Sequence, residues 1–162
     1  MTMNCRPVHH IQSMIWATDR IGIETLLFPS PELIEKFNES LPVFDPAEPV
    51  PAMENPGINS CPHEYWKAVA MEVYATPLIK AAGYKVDAMM TAFHTATREQ
   101  YENKCVGNYD GDVLSNEHYY GMSLHPYDTI FAKTNRGNDP LTLERMTDWV
   151  RAMNYSSYDH CH

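Results

Sequence analysis

The stretch from Glu117 to Arg136, EHYYGMSLHPYDTIFAKTNR, gathers His118, Tyr119, Tyr120, His125, Tyr127, Asp128, Lys133 and Arg136, and no other segment of the chain is as rich in reactive side-chain types. His125 precedes Asp128 across the turn-prone Pro126. An imidazole oriented by a carboxylate works as a general base, because the hydrogen bond selects its tautomer and supports its charged form. On that reading His125 and Asp128 are the catalytic pair, Lys133 and Arg136 hold an anionic group, and Tyr119, Tyr120 and Tyr127 complete the substrate surface. The plainer reading is that Pro126 opens a helical turn, Asp128 is its favourable first-turn acid, and His125 is a half-buried polar residue.

Other chemistries find less support. The eight histidines are His9, His10, His63, His94, His118, His125, His160 and His162, and His63-Glu64, Glu117-His118 and the tail His160-Cys161-His162 bring metal-ligating types close together. None of these has the His-x-x-x-His or Cys-x-x-Cys spacing of a zinc site, so a metal-dependent enzyme stands as an alternative and no metal ligand is assigned. Asp110-Gly111-Asp112 is similar to part of a calcium loop, but no glutamate stands at the closing position, and a turn accounts for it. There is no Gly-x-Ser-x-Gly elbow and no glycine-rich phosphate loop, and no cofactor can be named.

Composition sets broad limits. A formal charge of −9 and a pI near 5.2 argue against nucleic acid as a partner, since phosphate binding needs a basic patch. No apolar run reaches the roughly 18–20 residues that span a bilayer, and the opening MTMNCRPVHH lacks the apolar core of a signal peptide. As written, the chain reads as cytoplasmic; as a fragment of a longer protein it would fit the secretory-pathway lumen. Cys5, Cys61, Cys105 and Cys161 are dispersed, leaving both free thiols and two disulfides open. The sequons at Asn38 and Asn154 do not decide between these compartments.

A chain of 162 residues fits one domain with one core. The elements that must position the chemistry read as a mixed α/β domain: a small mixed sheet flanked by about four or five helices, with a long proline-rich loop. Ile11, Met14, Ile15 and Thr18 have helical spacing, whereas Ile21 to Phe28 is a continuous apolar run that reads as a buried strand. Ser30-Pro31-Glu32 caps the next helix. Residues 41–60 hold five prolines and form an extended loop. Ser60 is placed to cap a helix carrying Trp66, Val69, Ala70, Val73 and Tyr74, which Pro77 should kink or end, with Gly83 as its final stop. Tyr84 to Phe93 is the second candidate strand, with helix as its rival. Residues 97–104 read as a short helix and 106–112 as turns. Asp139-Pro140 opens the clearest helix, with Leu141, Leu143, Met146, Trp149, Val150 and Met153 as its apolar side.

The run HYYGMSLHPYDTIFAKTNR, the ending YSSYDHC and the unit LLFPSPELIEKF resemble the carboxyl-terminal part of a group of fungal proteins with glycosyltransferase-like architecture. The resemblance implies the distal part of a larger α/β enzyme lacking its amino-terminal half, with a phosphorylated or nucleotide-sugar ligand near the His125–Asp128 loop. Transfer from such a donor needs an acid or base near the acceptor and cationic support for the departing diphosphate. From a different class, a non-catalytic binding or scaffold domain would use its tyrosine-rich surface to hold a protein partner.

Overall fold

The computed structural model describes residues 3–4, 8–13, 15–41, 53–89, 114–119, 121–125 and 139–154. Four helices lie among them: α1 (Arg20–Leu27), α2 (Pro31–Ser40), α3 (Tyr65–Ala81) and α4 (Pro140–Ala152). Among the described residues strand is confined to β1 (Met3–Asn4) and β2 (His10–Ile11), which pair antiparallel with Met3 opposite Ile11. The expected small mixed sheet is therefore corrected: the described chain is mainly helical.

The main reversal is at α1. Asp19 stands at its N-cap, where Oδ1 accepts the Gly22 N–H at 2.9 Å. The Arg20 guanidinium meets Glu24 at 2.7 Å one turn on, and the Thr25 hydroxyl donates back to the Ile21 carbonyl. All three contacts require helical spacing, so Ile21 to Phe28 is not a strand. A short apolar run fits either structure by pattern alone, and the cap decides it here. The expected helix over Ile11 to Thr18 is likewise replaced, by β2 and irregular chain.

At α2 the expectation and the structure agree: Ser30 Oγ accepts the Leu33 N–H, Pro31 occupies the first turn, and Glu32 follows it. The Ser30 hydroxyl, ahead of the backbone amide, holds the Glu32 carboxyl below its ordinary range. At α3 the cap differs, because the helix starts at Tyr65 with Glu64 as an N-cap that makes no side-chain bond. A residue before proline is disfavoured in right-handed helix, and Cys61, ahead of Pro62, takes a left-handed φ of 46°. The Ser60 hydroxyl is left buried and unpaired among the described residues. Pro77 does not end α3, which runs on to Ala81 without the N–H that the Val73 carbonyl would otherwise accept.

Helix α3 is the centre of the core. Its Ala70, Val73, Tyr74, Leu78 and Ala81 pack with Val8, Leu26 of α1 and Phe37 of α2. The Phe37 and Tyr74 rings meet edge to face, centroids 5.2 Å apart, and both are fully buried. Burying a side chain of this size stabilises by about 1.5–3 kcal/mol. Gly57 closes the side near α1: Ile58 N–H donates to the Leu26 carbonyl at 2.8 Å, and a methyl group on Gly57 would run into that same oxygen. Helix α4 opens at Asp139-Pro140 as its sequence predicts, yet none of its residues is buried.

Candidate functional site

A cleft of about 780 Å³ opens between α1, α3 and the two irregular segments 15–19 and 84–89. Each wall has a local cause. Thr76 and Glu72, one turn apart on α3, tie down the amino-terminal segment: the buried Thr76 hydroxyl accepts the Ile11 N–H at 2.9 Å, and Glu72 Oε1 accepts the Ser13 N–H at 3.2 Å. That segment then runs through Trp16, Ala17 and Thr18 to the Asp19 cap.

The opposite wall is set by how α3 stops. Gly83 takes φ 88°, its N–H donates to the Lys80 carbonyl at 2.9 Å, and the Tyr84 N–H reaches back to the Ile79 carbonyl at 3.2 Å. This pair of bonds is a Schellman motif, which satisfies the last helical carbonyls and reverses the chain. Tyr84 to Met89 is thereby laid along the cleft instead of forming the expected strand over 84–89; residues 90–93 lie outside the described residues.

Aliphatic side chains, including Leu26, Ile58, Ala75 and Ile79, form most of the lining. Trp16 at 40% exposure, Tyr84 at 47%, Ile21 at 51% and Met89 at 71% add large apolar surface open to water. Three carboxylates, Asp19, Glu72 and Asp87, and one ammonium, Lys85, are the charged groups among its described lining residues.

His125 lies elsewhere, at a second cleft of about 390 Å³ between the turn 116–125 and the start of α4. The turn is held by paired backbone hydrogen bonds between Tyr119 and Met122, with left-handed backbone at Glu117 and Gly121. Ser123 Oγ donates to Asn116 Oδ1 at 2.6 Å and accepts the Glu117 N–H. Across from it, Asp139 caps α4, accepting from the Leu141 N–H and the Thr142 hydroxyl. The Thr142 hydroxyl is the main reason its carboxyl lies below its ordinary range; the Leu141 and Thr142 amides and the Arg145 charge act in the same direction.

Of the sequence-predicted site residues, His125 is exposed and lines this second cleft, while Tyr119 is half-buried in the same turn and does not line it. Tyr120, Tyr127, Asp128, Lys133 and Arg136 lie outside the described residues, so the His125–Asp128 pairing has no described geometry. The structure instead brings His125 to a cleft shared with Glu117, Ser123, Asp139 and Thr142. The Nδ1 atom of neighbouring His118 is buried without a hydrogen-bond partner among the described residues. No group of three histidine, cysteine or carboxylate side chains able to hold a metal occurs among the described residues, and Cys61 is an exposed free thiol. No described helix is long and apolar enough to cross a membrane.

Comparison of the chain with protein-family models, with curated proteins and with solved structures finds no match.

Proposed function

We propose that the chain is a non-catalytic binding domain whose ligand occupies the cleft between α1 and α3. One observation carries this: Trp16, Ile21, Tyr84 and Met89, all large, apolar and exposed, converge on the same concavity. Scattered apolar side chains are ordinary on a protein surface, whereas several of them around one cleft mark a place that is covered in use. The volume falls within the roughly 300–1,000 Å³ typical of ligand sites, and an aliphatic lining with a few polar groups is their usual chemistry.

The test is titration of the chain with the neutral dye Nile red. Saturable binding at one site, lost in the paired variant Trp16→Ala, Met89→Ala with unchanged helical circular dichroism, is the expected result. Absence of saturable binding, or binding that the paired variant leaves intact, would remove the reading.

A second reading keeps the sugar-transferring enzyme implied by the resemblance, on the observation that His125 shares a polar cleft with Asn116, Ser123, Asp139 and Thr142. Hydroxyl, amide and carboxylate groups suit a ligand rich in hydroxyls. The described ionisable groups lining it are Glu117, His125 and Asp139, with the Arg145 charge acting on Asp139, and the sequence reading gives the departing diphosphate to Lys133 and Arg136. Calorimetry with nucleotide sugars tests this: donor binding weakened by His125→Ala supports it, and no heat across the common donors counts against it.

A further inference from the structure

We infer that the cleft between α1 and α3 receives an extended peptide segment of a partner protein that carries alternating apolar residues and at least one lysine or arginine. The inference rests on the reading of this cleft as a binding site and names its occupant.

The backbone supplies the first argument. Trp16, Ala17 and Thr18 on one wall, and Lys85 and Val86 on the other, make no backbone hydrogen bond with any other described residue. Each non-proline residue has one donor and one acceptor to place, and an extended chain laid alongside supplies both at regular spacing. A compact apolar ligand would fill the same volume and leave those groups to water.

Charge supplies the second. The cleft carries Asp19, Glu72 and Asp87 against Lys85, within a chain whose net charge is −9. Glu72 is half-buried and uses Oε1 for the Ser13 amide, which leaves Oε2 without a partner among the described residues. A guanidinium or ammonium reaching that oxygen gains a charge-assisted hydrogen bond at a partly desolvated position. An acidic peptide would meet three carboxylates instead.

Alternation supplies the third. Successive side chains of an extended peptide point to opposite sides. One set therefore enters the aliphatic lining near Ala75 and Ile79, and the other lies among the rim groups.

The experiment uses the full chain and a positional-scanning library of acetylated, amidated hexapeptides, read by the fluorescence of Trp16. The variants Trp66→Phe and Trp149→Phe remove the other two indoles. Selection of apolar residues at alternate positions and of lysine or arginine at one position between them is expected. Glu72→Gln, which keeps an acceptor for Ser13, should weaken the selected peptide by about tenfold. Lys85→Glu should tighten it, and N-methylation of alternate peptide amides should abolish binding. A selected peptide that is acidic, one that Glu72→Gln leaves unaffected, or one that binds equally well when N-methylated would overturn the inference. Saturable Nile red binding without any peptide binding would overturn it while leaving the binding-domain reading in place. Failure of both probes would overturn both, and would assign the apolar surface to a segment of the chain itself or to a second copy.

Discussion

Helices α3 and α4 differ in pattern and in fate. Apolar residues lie on nearly every side of α3, whereas in α4 they keep to one face, and each helix has a basic residue in its last turn. In α3, Ala70, Val73, Tyr74, Leu78 and Ala81 are sealed by Phe37, Leu26 and Val8, from far back in the chain, while Tyr65 and Trp66 in its first turn stay exposed. In α4, Leu141, Trp149, Val150 and Met153 remain about half exposed, and no residue is buried. An all-round apolar helix signals burial and a one-sided one signals a face to be covered, but only long-range contacts supply the cover.

Truncations give the sharpest way to break this comparison. Phe37→Ala should cost about 3–5 kcal/mol in urea unfolding, because the fully buried ring leaves a cavity against Tyr74. If the chain is then unfolded at ambient temperature, Leu33→Ala, at a half-buried neighbour, gives a measurable intermediate loss. Gly57→Ala should cost about 1–3 kcal/mol by forcing a methyl group onto the Leu26 carbonyl, lowering Tm without touching α4.

Tyr74 adds a pH axis to the same region. Burial pushes its hydroxyl up to about 12, so the folded state resists an ionisation that the unfolded chain undergoes near its ordinary value of 10.0. The stability associated with the neutral phenol is intact below pH 10.0 and falls as pH rises towards about 12. Urea midpoints should decline across that window, and Tyr74→Phe should flatten the decline.

Cap removal separates the two regions. Ser30→Ala should remove about 1 kcal/mol of helix stability, and Asp139→Ala should weaken its helix in the same way. The first should lower global stability, since α2 carries Phe37, whereas the second should only speed amide exchange within α4. The same amides should lose protection in acid, because a carboxyl held below its ordinary value contributes above that value and ceases to as pH falls through its folded one. The smallest effect expected is from Trp149→Ala, within about 0.5 kcal/mol. A loss matching that of Phe37→Ala would show that α4 is covered after all.

Local capping signals hold at two helix starts and fail at Ser60, since α3 begins at Tyr65 instead. Ser30-Pro31-Glu32 and Asp139-Pro140 mark two helix starts through side-chain caps and a pre-set proline φ, and Gly83 marks the end of α3 because only its left-handed backbone completes the reversal. Ile21 to Phe28 suits a strand by apolar continuity alone, and the adjacent Asp19, a helix N-cap, is the signal in the sequence that outweighs it. Residues 84–89 read as strand because their composition suits one, but no described partner strand exists. The larger cleft was invisible for a different reason: Trp16 and Tyr84 come from distant segments, and a search for titratable chemistry passes over apolar ones. Exposed aromatics beside a helix cap and a Schellman turn were the signal available.

The hydrogen bond from Ile11 to Thr76 spans 65 residues of chain, and the one from Ser13 to Glu72 spans 59. At the roughly 5–20 residues per second of protein synthesis, the amino-terminal segment waits several seconds before the helix that holds it has been made. During that interval the groups destined for α3 face the cellular milieu with no native partner. The order of manufacture is thus the reverse of the order of support, and nascent chains halted before Glu72 should show residues 8–13 open to protease.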